Sequence, residues 1–266
     1  MTYLDIVLIV LIEALAGTLP LSAGGHLALL SGLAADPGGF VAVSSAAQMG
    51  MAVGLAAWLW RDCGAMTAGL FRLLKGKNDQ GGRLLLVLVT ATLLPALLSW
   101  WLLGLVEVPH QQMLAAGCLT AFGILLALAD RWGVTVRRIE HLGYMGAICI
   151  GLLQMLALLP GVSRTGITVT AARLMGFERR DAARLSLLLA IPLLAGHAVY
   201  GLRQLPHGLQ VALSADGILA AGLAAVIAWL AAGGMLLWLN RHSYLPFCLW
   251  RIMLGAGVIV LFFLSA

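Results

Sequence analysis

The sequence has 266 residues, 62% of them hydrophobic and 10% charged, and its mean hydropathy is +1.01. Roughly a quarter of the residues in a soluble domain are charged, so this composition excludes a water-soluble fold. The apolar segments recur at lengths near the ~20 residues of a membrane-spanning helix, which predicts an all-α integral membrane protein in the lipid bilayer. The net charge of +5 lies unevenly between these segments, as is typical of a topology signal, and it does not indicate nucleic acid as a partner.

The chain opens with an apolar stretch that is too irregular for a simple membrane span. Tyr3–Gly32 is interrupted by Pro20 and by Gly24-Gly25, and polar residues lie at the interruption. Each half is too short to cross about 30 Å of hydrocarbon at about 1.5 Å per residue. Irregular backbone inside a membrane must face protein or a water-filled cavity. The pattern therefore predicts a re-entrant helical hairpin.

Three continuous apolar segments follow, and the same arrangement then occurs a second time. Tyr144–Met175 is broken by Pro160-Gly161 and by Gly166, and three further continuous segments come after it. The six predicted membrane-spanning helices are Phe40–Trp60, Leu84–Leu105, Met113–Ala129, Ala183–Gly201, Gly217–Leu239 and Pro246–Ser265.

The two halves of the chain predict an inverted repeat within a single membrane domain. Residues 1–140 and 141–266 each contain one hairpin and three spans. An odd number of spans inserts the second copy upside down, and sites in such folds lie at the interface between the repeats, near the middle of the membrane. The tips of the two hairpins are therefore expected to meet.

The basic residues predict the orientation of the chain in the membrane. With six spans, nearly all Lys and Arg residues between the spans fall on one side of the membrane: those of the segment Arg61–Arg83, those in the flanks of the second hairpin, and Arg241. The other side carries only Arg203. The side that is rich in Lys and Arg is expected to be cytoplasmic. We therefore expect a multi-pass protein of the bacterial inner membrane with both termini outside.

The second hairpin carries the stronger signal for an anion-binding site. Arg164 lies in the segment PGVSRTGIT beside Ser163, Thr165 and Thr168, and Gly166 lets the backbone approach a ligand closely. A helix that begins near Gly166 directs free N–H groups at the loop. The guanidinium group of an arginine binds two phosphate oxygens at once. These features predict a phosphate-binding loop.

The first hairpin carries a carboxylate, Glu13, seven residues before Pro20. A carboxylate in apolar surroundings is costly, which makes Glu13 a candidate for catalysis or for binding a divalent cation. Two alternatives remain open. Glu13 lies in water at the membrane edge, or it pairs with Arg164 only to hold the hairpins together.

The loop of the first hairpin contains Ser22, Gly25 and His26. His26 is predicted to act as a proton donor or nucleophile near neutral pH, and the alternative is a polar bridge without a chemical role. Three further polar residues inside apolar stretches are secondary candidates, either for contact with the ligand or for hydrogen bonds between helices: Gln48, Gln154 and Arg251.

These motifs resemble those of a known family, the undecaprenyl-pyrophosphate phosphatases linked to bacitracin resistance. The segment PGVSRTGIT is similar to the family pattern PG-x-SR-S/T-G-x-T, and LPLSAGGH resembles LP-x-SS-x-GH. Further similar stretches follow in the same order, and the resemblance covers nearly the whole chain: QMG…WLWR at Gln48–Arg61, LLQMLALLPG, LSLLLAIPLL and SYLPFCLWR.

The resemblance implies an enzyme that cleaves a polyprenyl pyrophosphate, here undecaprenyl pyrophosphate, to the monophosphate in the recycling of the lipid carrier for peptidoglycan synthesis. It implies a divalent cation, Mg or Ca, and by motif it places Glu13 in the family's carboxylate pair. The loop residues of the two hairpins match the family's two phosphate-binding loops, and the resemblance is compatible with a homodimer.

Two departures from the family pattern keep other functions open. The second glutamate of the carboxylate pair falls at Gly17, and the second serine of the first loop falls at Ala23. The sequence therefore leaves a phosphatase, which we favour, beside a non-hydrolytic transporter or flippase of a lipid phosphate that kept the anion site. A membrane scaffold with a relic site has no positive support.

Overall fold

The structure of the protein is a computed structural model that describes residues 2–30, 36–77, 79–103 and 111–265, without the side chains of residues 94–103 and 265. Within these ranges the chain forms twelve α-helices. They are α1 (Tyr3–Leu11), α2 (Ala23–Leu29), α3 (Pro37–Trp58), α4 (Trp60–Leu74), α5 (Gln80–Leu103), α6 (Gln111–Trp132), α7 (Tyr144–Gln154), α8 (Arg164–Leu174), α9 (Arg179–Arg203), α10 (Gly208–Ala212), α11 (Ala215–Trp238) and α12 (Leu245–Ser265).

Five of these helices, α3, α6, α9, α11 and α12, are long and apolar enough to cross a membrane. They coincide with five of the six predicted spans. The remaining prediction, Leu84–Leu105, corresponds to α5, which has 24 residues; the end of that prediction lies outside the described residues. The protein is thus an all-α, multi-pass membrane protein, as the composition predicts.

The two interrupted stretches form pairs of short helices separated by a break. The first pair is α1, which continues into a π-helical turn at Ile12–Ala16, and α2. The second pair is α7, which ends in a 3₁₀ turn at Met155–Leu158, and α8. The helices α7 and α8 have 11 residues each, or about 16 Å, well short of the hydrocarbon thickness.

The positions of the breaks correct the sequence prediction in detail. Gly24-Gly25 and Gly166 were expected to interrupt the helices, but they lie in the first turns of α2 and α8. Each helix begins earlier because a serine side chain, from Ser22 or Ser163, caps a backbone N–H of that first turn. The glycines instead allow close approach of other groups, as described below for Gly25 and Gly166.

The segment Arg61–Arg83, a connection between two predicted spans, belongs largely to the helix α4, which begins at Trp60. Its basic and apolar residues alternate with helical spacing, so the segment is an amphipathic helix rather than a loop. Gly69 and the start of α5 approach so closely that a Cβ atom at Gly69 would lie 2.1 Å from the backbone nitrogen of Gly82. The helices α4 and α5 therefore pack backbone to backbone.

Small residues allow the long helices to pack closely around the hairpins. The helix α3 lies against both α9 and α11, and α6 lies against α12. At the α3–α11 contact, Gly50 and Gly54 face the backbones of Ala221 and Ala225, with no room for a larger side chain. Such contacts are a main source of helix association in membranes.

Ion pairs join several helix ends at the side of the molecule that is rich in arginine. Asp130, at the end of α6, pairs with Arg173 of α8 at 3.2 Å and with Arg179 of α9 at 2.7 Å. Asp62 of α4 forms two hydrogen bonds with Arg184 of α9. These contacts bring together the segments whose basic residues were assigned to a single side.

Candidate functional site

The loops of the two hairpins cross at a pair of glycines. A Cβ atom at Gly25 would lie 2.9 Å from the Cα atom of Gly161, so neither position has room for a side chain. Gly161 also has a φ angle of +93°, which favours glycine. The two interrupted stretches therefore meet at these glycines, where the tips of the predicted hairpins were expected to meet.

Equivalent serines begin the second helix of each hairpin. The Ser22 Oγ atom accepts a hydrogen bond from the Gly25 amide at 3.2 Å, and the Ser163 Oγ atom accepts one from the Gly166 amide at 3.1 Å. The two caps are about 140 residues apart, the offset expected for a repeat. They leave the first turn of each helix directed at the crossing point.

Ser22 is one of two non-glycine residues with a positive φ angle in the described part of the chain, at 80°. Its amide donates to the Ala16 carbonyl at 3.1 Å, and its own carbonyl accepts the His26 amide at 3.2 Å. Backbone held in a sparsely populated conformation by surrounding contacts is concentrated at functional sites. The geometry thus singles out the first loop.

Arg164 and Thr165 join the second hairpin to the first through a backbone carbonyl. The Gly17 carbonyl accepts hydrogen bonds from Thr165 Oγ1 at 2.8 Å and from Arg164 Nη2 at 3.4 Å. The Arg164 Nη1 atom is buried and has no partner in the structure. A buried guanidinium nitrogen without an acceptor is costly unless a ligand supplies one.

Arg251 brings a second guanidinium group to the same helix start. The residue is fully buried, and its Nη2 atom donates to the Gly161 carbonyl at 2.9 Å. Its Nη1 atom lies against Gly166, where a Cβ atom would be only 2.5 Å away. Among the described residues, the Nε and Nη1 atoms have no hydrogen-bond partner. Arg251, a secondary candidate in the sequence, therefore belongs to the centre of the site.

Glu13 lies in the π-helical turn of the first hairpin and is buried. Its carboxylate accepts a hydrogen bond of 2.5 Å from Ser44 Oγ on α3, and Gln48 Nε2 donates to the same Ser44 at 3.4 Å. Burial excludes the reading of Glu13 as a residue at the membrane edge. Single π-helical turns frequently occur at functional sites.

The alternative in which Glu13 pairs with Arg164 only to hold the hairpins together requires a direct ion pair between the two side chains. Among the ion pairs of the described residues, none joins these two side chains within 4.0 Å, although their charges interact at longer range. The two side chains are therefore not joined directly in the described part of the chain.

His26 is held at both ring nitrogens. Its Nδ1 atom lies 2.8 Å from the Ser22 carbonyl oxygen, and its Nε2 atom accepts a hydrogen bond from Trp250 Nε1 at 2.9 Å. The polar bridge that the sequence left open as the alternative is therefore present. A role of His26 as proton donor or nucleophile stays a prediction.

The remaining candidates differ in their surroundings. Thr168 Oγ1 contacts Ser186 Oγ of α9 at 2.6 Å and so anchors α8 below the loop. Gln154 is buried, but neither atom of its amide has a hydrogen-bond partner, so the interhelical hydrogen bond expected as one of its two roles is not found. His197 of α9, which the sequence reading did not select, interacts electrostatically with Arg164.

Three contacts of the site were missed from the sequence: the Ser44 hydroxyl, the Trp250 indole and the Gly17 carbonyl. A serine or tryptophan in an apolar span resembles ordinary helix packing, and a backbone carbonyl leaves no mark in a sequence. Only the position of Trp250 directly before Arg251 was a usable signal.

The donor set does not fit a cation held by the protein alone. A divalent cation favours several hard oxygen ligands, and the described residues contain no group of three or more His, Cys, Asp or Glu side chains that could bind one. Glu13 is the single carboxylate at the site, and the Gly17 carbonyl already accepts two hydrogen bonds.

The fold and the site together define a multi-pass membrane protein in which two arginines and two serine-capped helix starts come together at two loops. Comparison with known families gives a more specific result: the model of the family "Bacitracin resistance protein BacA" matches residues 6–257. The chain belongs to this family.

Curated relatives are similar over their whole length. A protein of Paramagnetospirillum magneticum named undecaprenyl-diphosphatase 1 is 44% identical over 98% of this chain and 97% of its own. A protein of the same name from Rhodospirillum rubrum is 42% identical over 100% and 97%, respectively. The undecaprenyl-diphosphatase of Roseobacter denitrificans is 36% identical over 98% of each chain.

Proposed function

We propose that this protein is an undecaprenyl-diphosphatase, which releases phosphate from undecaprenyl pyrophosphate and so returns the lipid carrier to cell-wall synthesis. The observation that carries the proposal is the convergence of Arg164 and Arg251 on the first turn of α8, each with buried guanidinium nitrogens that lack an acceptor. The names of the relatives supply the particular substrate.

Phosphate oxygens are the acceptors that complete this arrangement. A pyrophosphate carries several negative charges, and two arginines together with the amide dipole of α8 would neutralise part of them. Phosphoryl transfer depends mainly on positioning and on stabilising this charge. We assign Arg164 and Arg251 to the phosphate groups, with Ser163, Thr165 and Thr168 shaping the loop that holds them.

The first hairpin would supply the group that attacks the terminal phosphorus atom. Glu13, oriented by Ser44, could take a proton from a water molecule, whose oxygen bonds to phosphorus as the bond to the bridging oxygen breaks. His26 is the other candidate for the attacking or proton-transferring group, and it would act only after one of the hydrogen bonds at its two ring nitrogens opens. Ser22 would hold the loop in the strained form that places His26.

A flippase that binds the lipid phosphate without cleaving it is the less favoured reading, because the relatives are named as diphosphatases. The departures from the family pattern at Gly17 and Ala23 remove side chains but not the two arginines. We therefore assign phosphate binding to Arg164 and Arg251, and the attack on phosphorus to a water molecule activated by Glu13 or to His26.

We further propose the inverted repeat, residues 1–140 and 141–266, and two re-entrant hairpins as the architecture behind this site. The matching serine caps, the shortness of α7 and α8, and the packing of α3 on α9 and of α6 on α12 support it. In a bacterial inner membrane, the arginine-rich ends would face the cytoplasm and both termini the outside.

Phosphate release from undecaprenyl pyrophosphate by the purified protein tests the proposal, with Glu13→Gln and Arg251→Met as variants. We expect wild type to release phosphate, and both variants to do so at least about 100-fold more slowly. If wild type does not release phosphate but moves lipid phosphate across proteoliposomes, and Arg251→Met does not, the flippase reading is correct instead.

A further inference from the structure

The contact between Trp250 and His26 links α12 to the first hairpin. The two rings are nearly parallel, with planes 4° apart and centroids 6.3 Å apart, while the nitrogen atoms are 2.9 Å apart. The Nε1–H bond lies in the plane of the indole ring, so its hydrogen bond to the His26 Nε2 atom brings the two rings together at their edges. The rings thus lie edge to edge, with the indole N–H directed at the imidazole.

The partners of His26 define which of its nitrogens carries hydrogen. An indole N–H can only donate a hydrogen bond, and a carbonyl oxygen can only accept one. The Nε2 atom that faces Trp250 must therefore present a lone pair, and the Nδ1 atom that faces the Ser22 carbonyl must carry the proton. The contacts are compatible only with a neutral imidazole in the Nδ1–H form.

We propose that Trp250 is a positioning residue that, with the Ser22 carbonyl, fixes His26 in the neutral Nδ1–H tautomer, so that the imidazole bridges α12 to the first loop and holds that loop in place for the phosphatase reaction. The inference rests on the proposed function for its kinetic part, but not for its structural part. The second ring nitrogen of a histidine commonly sets which tautomer is present and how the ring is oriented. Here two groups determine the tautomer of His26: the carbonyl of Ser22, a residue with a positive φ angle, and the indole of Trp250.

The position of Trp250 connects this control to the anion site. Trp250 is directly followed by Arg251, whose guanidinium group lies between Gly161 and Gly166 in the second loop. The first turns of α12 thus contact both hairpin loops through adjacent residues.

The variant Trp250→Phe removes the indole N–H while keeping an aromatic ring, and Trp250→Tyr restores a hydrogen-bond donor. Because Trp250 is half exposed, neither change should impair folding. A matched control is Trp238→Phe: Trp238 also donates its indole N–H, to the Ser243 carbonyl at 3.0 Å, and lies beside a histidine, but away from the hairpin loops.

We expect Trp250→Phe to lower kcat for phosphate release roughly ten-fold with KM changed less than about two-fold, since the imidazole is misplaced while the phosphate contacts remain. Trp250→Tyr should recover most of this loss, and Trp238→Phe should behave as wild type. An unchanged kcat in Trp250→Phe, or a rise in KM with kcat retained, would overturn the proposal.

The tautomer itself is measured by NMR of the full-length protein labelled with ¹⁵N-histidine, with His26→Gln to assign the signals. Near neutral pH, we expect the His26 Nδ1 atom to be protonated and the Nε2 atom not, and Trp250→Phe to shift the Nε2 signal or mix the tautomers. Identical His26 signals in both proteins would refute the inference. This readout stays decisive if wild type releases no phosphate, so the two proposals fail separately.

Discussion

Replacing Arg251 with methionine should stabilise the protein or leave its stability nearly unchanged, and yet inactivate it. Arg251 is fully buried in α12 and makes one hydrogen bond, to Gly161, while its Nε and Nη1 atoms have no partner. Arg173 is a matched control, since it is equally buried but paired with Asp130 at 3.2 Å and bonded to the Gly133 carbonyl at 2.9 Å. Methionine fills a similar volume and adapts to irregular surroundings.

The expected magnitudes follow from these contacts. An unsatisfied buried donor costs about 1–3 kcal/mol, and a hydrogen bond of a charged group contributes about 1.5–3 kcal/mol. In Arg251→Met, the relief of two such donors nearly balances or exceeds the lost bond to Gly161, which leaves a net change between about 1 kcal/mol of destabilisation and about 4.5 kcal/mol of stabilisation. In Arg173→Met, Asp130 keeps Arg179 as a partner, but the pair with Arg173 and the hydrogen bonds of its guanidinium group to the Gly133 and Phe177 carbonyls are lost, which should cost about 3–5 kcal/mol.

The effect on catalysis has the opposite sign. If Nε and Nη1 each bind a phosphate oxygen in the transition state, their loss removes roughly 3–6 kcal/mol, which corresponds to a roughly 10²–10⁴-fold fall in kcat/KM at about 1.36 kcal/mol per factor of ten. Thermal unfolding in detergent and phosphate-release kinetics measure the two quantities. The reasoning is wrong if Arg251→Met unfolds as readily as Arg173→Met while keeping its activity.

Three further predictions concern the loops and one surface turn. Gly25→Ala should lower activity strongly because its Cβ would meet the backbone of the second loop at 2.9 Å, whereas Gly24→Ala, with nothing within 4 Å, should not; phosphate release compares them. Gly17→Glu adds a second carboxylate near the first, so its activity should respond more steeply to added Mg²⁺ than that of wild type. The Gly82 amide donates a hydrogen bond to Asp79 in the α4–α5 turn and lowers the pKa of this carboxyl. The resulting contribution to the free energy of unfolding is present above the usual pKa of an aspartate and is lost as pH falls through the lowered pKa. Asp79→Asn should therefore abolish the acid-dependent loss of stability that comes from this group, as measured by unfolding at a series of pH values.

Much of the fold follows from the sequence because membrane helices are specified by simple patterns. Runs of apolar residues predicted the spans, and the polar breaks at Pro20 and Pro160 predicted the paired short helices. The helix α4 was missed because the charges of Arg61–Arg83 suggested a loop. Apolar residues at helical spacing among those charges mark an amphipathic helix instead.

The site was predictable to the extent that its residues are unusual for their surroundings. Glu13 and Arg164 are charges in apolar segments, and their selection needed no structure. The central position of Arg251 in the site could not be predicted, because its contact with the second loop depends on how α12 packs against that loop. The same holds for Trp250, because its hydrogen-bond partner, His26, lies more than 200 positions away in the sequence.

The most direct test of the central claim, that the two hairpin loops hold a pyrophosphate for hydrolysis, is the initial rate of phosphate release from undecaprenyl pyrophosphate by wild type and by Arg164→Ala in the same detergent. The account predicts release by wild type and a rate at least about 100-fold lower in the variant, because the guanidinium group that carries the unpartnered Nη1 atom is gone. Equal rates for the two proteins, or no release by wild type, would contradict it.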